Sequence, residues 1–106
     1  MSYQVPLKEI RFVMNELADL PAVCTLPGYE DCNVELVDAI TEEAAKFAEG
    51  VLAPINWAGD KGNKWENYTV TTAEGFKEAY QQFQESGWVG LRAPAEFGGQ
   101  GLPALV

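Results

Sequence analysis

The chain has no histidine, and its 7 lysines and arginines are outnumbered by 16 aspartates and glutamates. A formal charge of −9 repels phosphate backbones and anionic lipid, so nucleic acid and a membrane surface are not expected partners. Without histidine, and with Cys24 and Cys32 as the only cysteines, no zinc-ligand pattern can be assembled. No apolar run approaches the roughly 20 residues that span a bilayer. No basic stretch followed by an apolar one leads the chain, so the expected compartment is the cytoplasm, where two cysteines are ordinarily free thiols. Repeats and low-complexity tracts are missing too.

What is present suits one small folded domain. Hydrophobic residues make up 47% of the 106, which argues against disorder. Leu7, Ile10, Met14 and Leu17 recur at helical spacing after Pro6, and Val13 widens that stripe. This predicts a helix over 6–18 that ends before Pro21, followed by a connection over 21–33. Val37, Ile40, Ala44, Phe47 and Val51 form a stronger stripe, predicting a helix over 34–52 with Asn33 or Asp31 as N-cap. Phe47 lies at its centre and reads as core. Glu42 stands four residues before Lys46, the favourable order for an ion pair along a helix. Pro54 stops or kinks this helix.

Residues 55–72 show no helical period. Gly59-Asp60-Lys61-Gly62 is a turn signal, and Trp65, Tyr68, Val70 and Thr71 suit a short extended piece or hairpin near 56–72. Asn67 tolerates the left-handed backbone that such a turn requires. A third helix over 73–86 is predicted, with Phe76, Ala79, Tyr80 and Phe83 on its apolar face. Thr71 and Glu74 fit a capping box at its start, and Gly87 fits the position after its end.

Few residues suggest chemistry of their own. Asp38, Glu42 and Glu43 read as solvated helix charges, because nothing in the sequence buries them to raise a carboxylate pKa. The only serines, Ser2 and Ser86, do not follow an aspartate, which excludes the attachment site of an acyl carrier protein. Asp60 is followed by Gly62 and Lys64 where a calcium loop needs oxygen ligands. Gly98-Gly99-Gln100-Gly101 lacks the lysine and hydroxyl residue of a phosphate loop and reads as a tight structural turn.

The stretch Pro94-Ala95-Glu96-Phe97-Gly98-Gly99-Gln100-Gly101-Leu102 resembles a loop in the N-terminal helical domain of acyl-CoA dehydrogenases. Leu36-Val37-Asp38-Ala39-Ile40, Val51-Leu52-Ala53-Pro54, Gly75-Phe76-Lys77-Glu78-Ala79-Tyr80 and Gly87-Trp88 match in order. Residues 1–17 resemble the N-terminal extension of the subgroup that contains 3-methylmercaptopropionyl-CoA dehydrogenases. The resemblance implies a mainly α fold: an up-and-down, bundle-like helical domain over 33–106, cut after the glycine loop, with an extension over 1–32 that carries one helix. It implies α,β-dehydrogenation of an acyl-CoA thioester by FAD in the parent enzyme. The family's catalytic base and its main flavin contacts lie in domains beyond Val106. No catalytic, cofactor-binding or metal residue is therefore carried over to this chain. Phe97, Gly98, Gly99, Gly101 and Leu102 are expected beside the family's acyl cleft, in a structural role. The expected partners are the remaining dehydrogenase domains or a partner chain, with acyl-CoA only in the complete enzyme, or a second copy by self-association. The alternative is a stand-alone acidic helical module that binds another protein.

Overall fold

The computed structural model describes residues 2–106. Helix α1 (Leu7–Phe12) starts behind Pro6 and runs without a break into a π-helical turn, Val13–Leu17. Together they fill the span expected from the first stripe. The short helix α2 (Leu20–Val23) was not expected. Pro21 does not merely end a helix; it sits in the first turn of a new one, where its missing N–H is not needed. The Asp19 carboxylate caps that turn, accepting from the Ala22 N–H at 3.4 Å.

Helix α3 (Val34–Phe47) is the longest, and it continues through a π turn (Ala48–Leu52) into a 3-10 turn (Ala53–Ile55). Asn33 is its N-cap: the side-chain oxygen accepts from the Leu36 N–H at 2.8 Å. Pro54 falls in the first positions of the 3-10 turn, so it reshapes the helix instead of ending it. The chain then forms helix α4 (Asn56–Asp60), where the sequence shows no helical period. One turn is too short to display a period, and Gly59 masks it further. Gly59 is there because the Phe76 ring packs on it: a Cβ would lie 2.6 Å from Phe76 Cζ.

Strands β1 (Lys64–Glu66) and β2 (Thr69–Thr71) form the expected hairpin, with Trp65 opposite Val70. Asn67 and Tyr68 both hold positive φ, 51° and 60°, the backbone of a two-residue hairpin turn. The sequence indicates Asn67 for this role; Tyr68 is unexpected there. Its ring meets Trp65 edge to face at 6.0 Å between centroids.

Helix α5 (Phe76–Glu85) begins later than the capping box would place it, with Gly75 as N-cap and no side-chain cap. Thr71 pairs with Lys64 in the hairpin instead, and Asn63 Oδ1 takes the Ala73 N–H at 3.1 Å. These bonds hold residues 71–73 out of the helix. Gly87 ends it as expected, with φ 81° and its N–H donated to the Gln84 carbonyl at 3.0 Å. Two 3-10 turns follow, Trp88–Gly90 and Ala95–Phe97.

The core is small and lies at one end. Met14, Leu20, Cys32, Val37 and Leu102 are buried together, with Ile10, Ile40, Leu91, Leu105 and Val106 packed around them. It is closed by α1, α2, the start of α3 and the C-terminal segment. Arg11 ties α1 to α3, pairing with Glu42 and lying 3.3 Å from Asp38. Glu42 is thereby taken, and Lys46 pairs with Glu43 in place of the expected partner.

The whole is a slab, 53 × 37 × 18 Å, with a radius of gyration of 16.9 Å. A compact chain of this length has a radius of about 13 Å. Its accessible surface is 8051 Å², against roughly 5,800 Å² for a compact monomer of this mass. Trp57, Trp65, Tyr68, Val89 and Phe97 are exposed apolar side chains on it.

Candidate functional site: an open apolar trough

A trough of 1140 Å³ runs between α3 and the C-terminal segment. Leu36, Ile40, Glu43 and Phe47 come from α3, where spacings of four, three and four put them on one face. Trp88, Leu91 and the glycine loop, Gly99 to Leu102, line it from the C-terminal segment, and Tyr29 and Cys32 line it from the connection before α3.

Phe47 is not the centre of the core, contrary to the reading of its stripe. It is half-buried in the trough wall, with its ring 6.1 Å from Phe83 and 6.4 Å from Trp88. A helical period says which residues share a face and not what covers it. Val37, almost three turns nearer the N-terminus of α3, is fully buried instead. Trp88 Nε1–H is buried without a hydrogen-bond partner among the described residues.

The glycine loop is held by its own backbone. Gly98 and Gly99 N–H groups donate to the Ala95 and Pro94 carbonyls at 3.0 and 3.1 Å. Gln100, Gly101 and Leu102 donate to Gly90, Ala93 and Leu91 at 2.9, 2.9 and 3.0 Å. The donors a phosphate would need are therefore spent inside the loop. Gly99 permits this close return: a Cβ there would lie 1.9 Å from the Ala93 carbonyl oxygen. Of the residues expected beside a cleft, Gly99, Gly101 and Leu102 line the trough, and Leu102 also joins the core. Phe97 and Gly98 do not line it, and the Phe97 side chain is 78% exposed.

Asp31, Glu43 and Lys46 are the charged residues among those that line the trough. Among the described residues Lys46 is the only cation lining it, and the Glu43 carboxylate hydrogen-bonded to it holds its ammonium above the usual lysine range. Glu30, outside the lining, accepts from the Gly28 N–H at 3.0 Å, and that bond lowers its carboxyl. Burial pushes the Cys32 thiol up to about 11. The Cys24 and Cys32 sulfurs are 3.2 Å apart and both thiols are free. Nothing in the sequence alone puts the two in contact. No group of three or more metal-ligating side chains comes together among the described residues, and no helix is long and apolar enough to cross a membrane. The apolar part of this lining, Leu36, Ile40, Phe47, Trp88 and Leu91, is suited to covering an apolar chain.

No family model matches the chain. Among curated proteins it is similar to 3-methylmercaptopropionyl-CoA dehydrogenase of Ruegeria pomeroyi, 39% identical over 107 aligned positions. The match takes in all of this chain and 18% of that relative, so the chain spans less than a fifth of the protein it resembles. Along its whole length the chain is thus related to the N-terminal region of an acyl-CoA dehydrogenase.

Proposed function

We propose that the chain acts as the N-terminal helical segment of an FAD-dependent acyl-CoA dehydrogenase, where it walls the acyl side of the substrate cleft. The observation that carries this is the trough. Likeness to such an enzyme covers the whole chain, and an apolar channel on that chain lies open beside the glycine loop. Phe47, Trp88 and Leu91 would cover the acyl chain and keep water from it, and the rigid loop would hold that wall in place. The extension over 1–32 would brace α3 through Arg11 and the small core.

FAD, which accepts a hydride when bound in such enzymes, does not fit the residues that line the trough. Its pyrophosphate needs free donors or cations. Here Lys46 is paired to Glu43, and the loop N–H groups are consumed. No step of the reaction is assigned to this chain. Its expected partners are the remaining domains of such an enzyme, in the cytoplasm.

The reading is tested by deleting the matching N-terminal region from the Ruegeria pomeroyi relative and supplying this chain in trans. The expected result is a stable complex with restored bleaching of the flavin by acyl-CoA, while the chain alone shows no saturable FAD binding. A chain that neither associates nor restores bleaching is an independent interaction module instead.

A further inference from the structure

Cys24 closes α2, and Cys32 ends the connection that follows it. Their sulfurs are 3.2 Å apart. Backbone bonds fix both residues: the Cys24 N–H donates to the Leu20 carbonyl at 2.9 Å, and the Cys32 N–H to the Tyr29 carbonyl at 3.0 Å. Leu20 is 1% exposed and Cys32 7% exposed, so each half of the pair is anchored in or against the buried cluster. Cys24 is the more accessible of the two. Fixed geometry, unequal access and a short loop between them describe a dithiol, not two isolated thiols.

We propose that Cys24 and Cys32 form a reversible redox modification site, closing to an intramolecular disulfide on reaction with hydrogen peroxide. The Cys24 thiolate attacks one peroxide oxygen. The O–O bond breaks, Cys24 becomes a sulfenic acid, and the second oxygen leaves as hydroxide and takes up a proton to become water. The Cys32 sulfur then attacks the Cys24 sulfur. The S–S bond forms, the S–O bond breaks, and the hydroxyl leaves with the Cys32 proton as a second water. Two thiols lose two electrons in all, and one peroxide gains them. Burial keeps Cys32 protonated at neutral pH, which suits it to act second, with proximity making up for its small thiolate fraction. Closure needs the sulfurs to approach by little more than about 1 Å, to a bond of about 2.05 Å. The resulting ring contains Gly28, Tyr29 and Asp31, which line the trough. Oxidation at this pair therefore stiffens that part of the lining without adding bulk to it.

The test treats the reduced chain with hydrogen peroxide, native and in concentrated urea, and follows free thiols and intact mass. The expected native result is loss of both thiols together, a mass lower by two hydrogens, a Cys24–Cys32 cross-linked peptide and full recovery with dithiothreitol. The fold supplies the juxtaposition for the second step, so the native products should be the intramolecular disulfide alone, whereas in urea sulfenic and sulfinic acids and chain-to-chain disulfides should compete with it. The same product mixture in both conditions overturns the proposal, as do native sulfinic acids, native chain-to-chain disulfides or thiols that resist peroxide in the native state. Cys32→Ser supplies a second reading. It should leave Cys24 trapped as a sulfenic acid that dimedone labels, whereas wild type should escape labelling. Equal labelling of the two overturns it as well.

Discussion

Phe47 and Trp88 meet in the lining of the trough, their ring centroids 6.4 Å apart and their planes inclined by 45°. The contact joins the last turn of α3 to the segment after α5, and no other aromatic pair spans those two elements among the described residues. Phe47→Ala should therefore cost about 2 kcal/mol, less than the roughly 3–5 kcal/mol of a fully buried phenylalanine. Urea melts give the loss, and the Trp88 emission should shift because its neighbour is gone. A cost near zero would place this face outside the cooperative structure.

Gly99→Ala should be the most damaging single methyl in the chain. The added Cβ meets the Ala93 carbonyl at 1.9 Å, and backbone is what must yield. A loss of about 2–3 kcal/mol is expected. Gly50→Ala is the matched control, because nothing lies within 4 Å of a Cβ there. It should be neutral or stabilising by up to about 1 kcal/mol. Thermal melts of the two variants compare them directly, and similar midpoints would contradict the close approach at Gly99.

Arg11→Ala should cost about 1 kcal/mol at low ionic strength, and less in high salt. The side chain is 33% exposed and its partners Asp38 and Glu42 are 39% and 53% exposed, so solvent screens the bridge. A loss unchanged in 1 M salt would assign the effect to packing of the arginine stem instead.

Helices α1 and α3 are legible in the sequence because a long stripe repeats several times, and Asn33 marks the start of α3. The hairpin is legible because Asn67 accepts a positive φ. Helices α2 and α4 are not: each is a single turn, and Pro21 and Gly59 read locally as breakers. The capping box fails for a different reason. Thr71 and Glu74 have the right spacing, but the hairpin claims Thr71 first through its ladder partner Lys64. The glycine loop marks one part of the trough lining in advance. The part from α3 is hidden, because Phe47 belongs to the same periodic stripe as the buried Val37.

Stability should decline on the alkaline side. The Cys32 thiol ionises near about 8.5 in the unfolded chain and near about 11 in the folded one. Below the first value both states keep the proton and stability is full. Between the two, the unfolded state gains by ionising while the buried thiol does not, so stability falls as pH rises towards 11. Denaturant midpoints measured across that window, with dithiothreitol present, should drop for wild type and drop less for Cys32→Ala. Parallel curves would remove Cys32 as the cause.

At rising concentration the isolated chain should self-associate. Trp57, Tyr68 and Phe97 are 78%, 95% and 78% exposed, on a slab only 18 Å thick. Light scattering that reports a strict monomer at every concentration, together with a high melting temperature, would favour a self-sufficient module.

The glycine loop closes over a short stretch of chain. Its carbonyl acceptors, Gly90 to Ala95, lie within eleven residues of the donors Gly98 to Leu102. The bridge from α1 to α3 joins residues 31 apart in sequence, and the Val5 N–H reaches Glu49 across 44. Loop-closure entropy grows with that separation, so the two ends of the molecule assemble by different routes. The loop can order as soon as its own residues meet, without waiting for the helices. During synthesis the N-terminal arm must instead wait for α3 to emerge before it has anything to hold. The glycine-loop side of the trough thus depends less on the rest of the fold than the N-terminal arm does.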